Sequence, residues 1–167
     1  LRGDGITGQT ISHLVENITG LVSSTKSTEP WIVRGELVLP KTSIDSKQIA
    51  RTIVNGLVHK SDPDPILLKQ VQFLAYEVIS PASLKRSDQF KWLESKGFAV
   101  PWWKVQESPT EEQLKTAFIQ RRSASPFDTD GIVIGVDQVP IVGVQQISPT
   151  VARPPKDCVA FKMAVSE

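Results

Sequence analysis

Trp31-Ile32-Val33-Arg34-Gly35-Glu36-Leu37-Val38-Leu39 is the stretch on which the fold turns. It alternates, sending Val33, Gly35 and Leu37 one way and Arg34, Glu36 and Val38 the other, which is the period of a strand. Pro40 ends it. Glycine weakens a strand interior unless something must approach the backbone closely. A carboxylate beside such a gap can accept hydrogen bonds from ribose hydroxyls. The plain alternative is an Arg34–Glu36 ion pair on the surface. Val71 to Ile79 repeats the strand signature, and Gly131 to Val136 and Cys158 to Val165 add two more strands, with a short one over Trp102 to Gln106.

The remaining segments read as short helices and loops. Ile11, Leu14, Val15, Ile18 and Leu21 recur at helical spacing. Ile49 to Lys60 is a short helix ended by Asp62-Pro63-Asp64-Pro65. Ser87 to Lys96 is a helix with Ser87 as N-cap and Gly97 as its stop. Ser108 and Glu111 have capping-box spacing around Pro109, opening a helix that turns Leu114, Ala117 and Phe118 inward. Twelve prolines and ten glycines keep all elements short. Strands and helices do not alternate as in a doubly wound sheet, so the expected class is α+β, with mainly antiparallel sheets and short flanking helices.

At 167 residues, 40% hydrophobic and 22% charged, the chain is an ordinary globular protein able to bury a core without disulfides or metal. Nineteen Lys and Arg against 18 Asp and Glu give +1, which excludes a strongly basic nucleic-acid tail and an acidic disordered one. The single cysteine, Cys158, lies in an apolar run and reads as a small hydrophobe, not a nucleophile. It excludes an intramolecular disulfide and a multi-cysteine zinc site. No run reaches the ~18 apolar residues of a membrane span and no secretory signal is visible, so the expected location is cytoplasmic. The first residue is Leu1, not Met, so a fragment is expected.

Four segments carry candidate chemistry. Arg2-Gly3-Asp4-Gly5-Ile6-Thr7-Gly8 offers glycines for close backbone approach and a forked cation suited to phosphate. Arg34-Gly35-Glu36 is the second. Asp128-Thr129-Asp130-Gly131 feeds an apolar strand and otherwise reads as a hairpin signal. Cys158-Val159-Ala160-Phe161-Lys162-Met163 places one lysine in an apolar strand, either snorkelling at a rim or aimed at a phosphate.

In this order the segments resemble the adenylation (nucleotidyltransferase) domain of NAD-dependent DNA ligases. Leu1 to Gly8, Val33 to Val38, Phe73 to Val78, Asp130 to Ile134 and Val159 to Met163 match family motifs in sequence, and Arg51 to Gly56 matches more loosely. The resemblance implies that residues 1–167 are the C-terminal portion of such a domain. It implies a reaction in which a lysine takes adenylate from NAD, with Mg²⁺ expected, and passes it to a 5′-phosphate at a nick in double-stranded DNA. The remaining ligase domains and nicked DNA would be its partners. Carried over residue by residue, Glu36 would hold the adenosine ribose, Tyr76 would stack on adenine and Val133 would cover its other face. Asp130 would be the essential carboxylate, and Lys162 would face the phosphate and take part in catalysis. Arg2 and Arg51 would belong to the cations around nucleotide and nick.

The departures matter equally. The family nucleophile lies in a Lys-x-Asp-Gly motif, which this chain lacks; Arg2-Gly3-Asp4-Gly5 has its spacing, but arginine stays protonated. Gly135 stands where a second phosphate lysine is expected, so that Gly135→Lys should strengthen adenylation, with His59, Lys60 and Arg153 as possible substitutes. Thr52 replaces a usual Asn, and His59 stands where Arg is usual. Two alternatives share the fold: a catalytically inactive relative that still binds a nucleotide or a nick, and an ATP-dependent polynucleotide ligase or capping nucleotidyltransferase. The isolated chain should therefore not become covalently adenylated. Incubation with labelled NAD and Mg²⁺ should leave no labelled band at 18.4 kDa on a denaturing gel. A band that disappears on Lys162 substitution would overturn this.

Overall fold

The computed structural model describes residues 8, 10–22, 30–43, 49–140 and 157–163. Arg2 and Arg153 lie outside the described residues. Among those described, four strands form two antiparallel pairs, flanked by short helices. This is the α+β class expected.

The first pair joins β1 (Ile32–Val38) to β2 (Gln72–Ser80). Its register runs Val38↔Gln72 to Gly35↔Ala75, then jumps to Arg34↔Glu77, so Tyr76 is the extra residue of a bulge. A bulge re-aims side chains. Ala75 and Val78 both face the core although they are three apart, and Tyr76 and Glu77 both face outward. On β1 the alternation holds: Leu37 and Val33 pack inward and Glu36 is exposed.

The inner face of this sheet supports two adjoining clusters. Leu14, Leu39, Val54, Leu57 and Val71 form one with α1 (Ala50–His59) and the one-turn helix α2 (Pro65–Leu68). Ala75, Val78, Leu93 and Phe98 form the other with α3 (Arg86–Ser95). Phe73 packs against both clusters. Its ring fills the space beneath Gly35 and meets Phe98 edge-on at 6.4 Å. The close approach that Gly35 permits is thus made by a core phenylalanine.

Sheet two pairs β3 (Gly131–Gly135) with β4 (Cys158–Lys162) in the register Gly131↔Lys162, Val133↔Ala160, Gly135↔Cys158. α4 (Glu111–Ala124) leads into it, buries Phe118 and is held at its end by Lys41, whose Nζ donates to the Arg122 carbonyl at 3.1 Å.

Several local expectations shift. The segment after Ile11 forms a 3-10 helix, Ser12–Asn17, not an α-helix to Leu21. The capping box of α4 is Thr110 with Gln113, two residues beyond Ser108. Trp102 to Gln106 joins no sheet; Trp103 stacks on Phe90 at 5.4 Å and Arg121 lies 5.2 Å over Trp102. Helix α3 starts one residue early, at Arg86, and Ser87 is not its N-cap: Asp137, from the loop after β3, accepts from the Ser87 N–H at 2.8 Å and hydroxyl at 2.9 Å. A carboxylate fifty residues away thus does the capping that the sequence reading assigned to Ser87 itself.

Gly35→Ala should destabilise the protein by roughly 1–3 kcal/mol, the usual range for overpacking. Its Cβ would collide with the Leu74 carbonyl oxygen and lie 2.5 Å from Phe73 Cζ. A urea denaturation midpoint unchanged from wild type would contradict this packing.

Candidate adenylate site

The bulge decides what the outer face of the β1–β2 sheet presents. Tyr76 is 42% exposed there, with Glu36 on the neighbouring strand and an Arg34–Glu77 ion pair beside it. Burial of the ring pushes the Tyr76 hydroxyl above its ordinary pKa; Arg34 opposes this, and Glu77 and Glu36 add to it. The phenol therefore stays neutral at physiological pH, a hydrogen-bonding tip on an apolar ring.

On the β3–β4 sheet, cross-strand partners share a face, so Val133, Ala160 and Lys162 lie together. That face is open: Val133 is 71% exposed. An apolar side chain so exposed in mid-strand is free to meet a flat ligand. At the sheet's end Lys162 Nζ donates to Asp130 Oδ2 at 2.8 Å. This bond is the main cause of a depressed Asp130 pKa; slight burial opposes it, and the charges of Lys162 and Arg51 reinforce it. Arg51, exposed on α1, is thus within electrostatic reach of the Asp130–Lys162 pair.

Both sheets are tied to α3, which packs on β2 and is bonded at its start to residues flanking β3 and β4. Besides the Asp137 cap, Arg86 Nη2 donates to Asp157 Oδ1 at 2.6 Å, tying α3 to the residue before β4. Cys158, on the Val133 face, is held above its ordinary pKa by burial, with Arg86 opposing and Asp157 and Glu77 adding. Glu77, next to Tyr76, therefore acts on a group of the second sheet's open face. The raised thiol pKa also fits the non-nucleophilic reading of Cys158.

A cavity of about 500 Å³ lies elsewhere, between Leu21, Trp31, Val33, Phe73 and Phe98 on the inner side of the first sheet. It includes none of the residues named from the sequence as a site.

The whole-chain comparison decides the family. The model of the NAD-dependent DNA ligase adenylation domain matches residues 1–166. The chain belongs to that family. It is 30% identical to the DNA ligase of Acanthamoeba polyphaga mimivirus over 80% of this chain and 22% of that protein. Similarity to the DNA ligases of Synechococcus sp. (strain RCC307) and Psychrobacter cryohalolentis is 26% and 28%, over 99% and 96% of this chain and 27% and 26% of theirs. The chain spans about a quarter of the length of these curated relatives.

Of the residues named from the sequence, the structure places Glu36 and Tyr76 on the first sheet and Val133, Lys162 and Asp130 at the second, with Arg51 in electrostatic reach of Asp130. Arg86, beside Gly135, was not among those named. A Cβ on Gly135 would lie 2.7 Å from Cys158 Sγ and 3.1 Å from Arg86 Nε. A side chain at 135 would meet those two side chains, so the lysine of Gly135→Lys has to move Arg86 and Cys158 aside to reach the face. No local signal marks Arg86, because its partner Asp157 is 71 residues away.

Because Lys162 lowers the Asp130 pKa, the pair favours the folded state above the unfolded carboxylate pKa. That contribution is lost as pH falls through the folded value. It is small, since both groups are largely exposed. Lys162→Gln should move the Asp130 carboxyl titration, followed by NMR, up toward the ordinary carboxylate range. An unchanged midpoint would show that the pair does not form in solution.

Proposed function

We propose that this chain is the C-terminal portion of the adenylation domain of an NAD-dependent DNA ligase. The complete protein would join nicked double-stranded DNA through enzyme-adenylate and DNA-adenylate intermediates. The observation that supports this most is the open face on which Val133 is exposed beside the Lys162–Asp130 pair, in a chain of this family.

The residues present suit the adenylate half of NAD. Tyr76 and Val133 supply exposed apolar surface for a flat base, and Glu36 supplies an exposed carboxylate to accept from ribose hydroxyls. Lys162 and Arg51 supply positive charge for phosphate, where preorganised cations stabilise the charge of phosphoryl transfer. NAD supplies the adenylate; a lysine on sequence outside this chain would attack its phosphorus and release nicotinamide mononucleotide. Asp130 holds Lys162 at the rim of the face until an anionic ligand competes for it. Mg²⁺, nicked DNA and the other ligase domains are the expected further participants.

The reading of an inactive nucleotide- or nick-binding relative is favoured only by Gly135. Among the described residues, no helix is long and apolar enough to cross a membrane.

The test uses the complete protein. AMP binding by calorimetry and self-adenylation with labelled NAD should both be weakened roughly five- to 150-fold by Tyr76→Ala, a base–aromatic stack being worth about 1–3 kcal/mol. Glu36→Gln should weaken AMP binding with little effect on thermal stability. AMP binding without self-adenylation would favour the inactive relative, and absence of both would overturn the adenylate reading.

A further inference from the structure

We infer that Arg86, entering from the first turn of α3 across the bare Cα of Gly135, is a phosphate-binding residue of the adenylate site, placed on the opposite side of Val133 from Lys162. This rests on the adenylate reading of the same face. Gly135 has the parity of Val133, so a side chain there would project from the open face. In its place stands the Arg86 side chain, with Nε 3.1 Å and Cδ 3.2 Å from the position of the missing Cβ. The cation is thus delivered to that face by a different element.

The spacing fits a ligand lying over Val133. Gly131, paired with Lys162, and Gly135 are four residues apart, roughly 13 Å along a strand. Val133 is midway between them. A cation thus stands near each end of this face, Lys162 turned to Asp130 and Arg86 to Asp157, and each would exchange its carboxylate for a nucleotide phosphate by swinging toward the centre.

The guanidinium is also prepared for an acceptor. Asp157 takes one of its N–H groups, from Nη2, and fixes its plane. Among the described residues its Nε is buried without an acceptor, as the second oxygen of Asp157 is without a donor, so the pair is closed through one hydrogen bond only. Guanidinium carries five donors in a rigid fork that matches phosphate oxygens. The side chain remains 24% exposed, so part of it is open to a ligand while Asp157 holds the rest. Asp157 neutralises some of the charge, but it orients the fork. Glycine at 135 leaves room for this arrangement, since a Cβ there would press on the side chains of both Arg86 and Cys158. Lysine at 135 and arginine at 86 are therefore alternative, mutually exclusive solutions for the same place.

The proposal is tested in the complete protein by measuring AMP and adenosine affinities side by side. Arg86→Gln should weaken AMP roughly ten- to a hundredfold, the size of a charge-assisted contact, and leave adenosine unchanged. Arg86→Lys, which keeps the charge but not the fork, should give a smaller loss confined to AMP, and serves if the glutamine variant fails to fold. The double variant Arg86→Ala with Gly135→Lys should recover part of the AMP affinity that Arg86→Ala loses. Equal weakening of AMP and adenosine would mean that Arg86 only supports the fold and would overturn the proposal, as would unchanged AMP affinity. If the wild-type protein binds AMP, and Tyr76→Ala abolishes this while Arg86→Gln does not, the proposal falls and the adenylate reading stands. If the wild-type protein binds neither AMP nor NAD, both fall together.

Discussion

The Phe73 ring beneath Gly35 is the contact on which the arrangement depends. Phe73 belongs to both hydrophobic clusters, and only a glycine opposite allows its ring so close to β1. With that residue locked inward, alternation places Ala75 inward and Tyr76 outward, and the bulge keeps Glu77 outward beside it and returns Val78 to the core. A strand without the bulge would turn every side chain beyond that point to the other face. The exposed tyrosine beside Glu36 is thus a consequence of core packing on the reverse side of the same sheet.

The second sheet has a different source of order. Two strands of five residues bury too little to be stable alone. Polar ties to α3 position it: Asp137 caps the helix, and Arg86 pairs with Asp157. Gln89 secures α3 in turn, accepting from the Val78 N–H at 2.9 Å and donating to the Leu84 carbonyl at 3.0 Å. One helix therefore links the bulged strand to the open face carrying Val133. The surface carrying Tyr76 is set by close packing and the one carrying Val133 and Lys162 by charge-assisted hydrogen bonds, which are directional and respond to pH and ionic strength.

Much of this was legible in the sequence where the determinants are local. Alternation located β1, and apolar runs located β2, β3 and β4. The ordered motifs identified the family and named Glu36, Tyr76, Val133, Asp130 and Lys162. Gly35 signalled close approach, but sequence could not tell a ligand from a phenylalanine 38 positions on. The start of α3 was misplaced because its capping carboxylate comes from the far side of β3. Arg86 was invisible for the same reason: its partner and the glycine it covers are distant in sequence. Trp102 to Gln106 read as a strand from its composition, yet its aromatic rings are used for stacking on α3 and α4 side chains instead.

The central claim is that the adenine base lies between Tyr76 and Val133, each carried by a different sheet. Nuclear Overhauser contacts in the complete protein with bound AMP test it most directly. The account predicts cross-peaks from the adenine ring protons to both the Tyr76 ring and the Val133 methyls. Cross-peaks to Trp31 and Phe98, which border the cavity on the inner side of the first sheet, with none to Tyr76 or Val133, would contradict it.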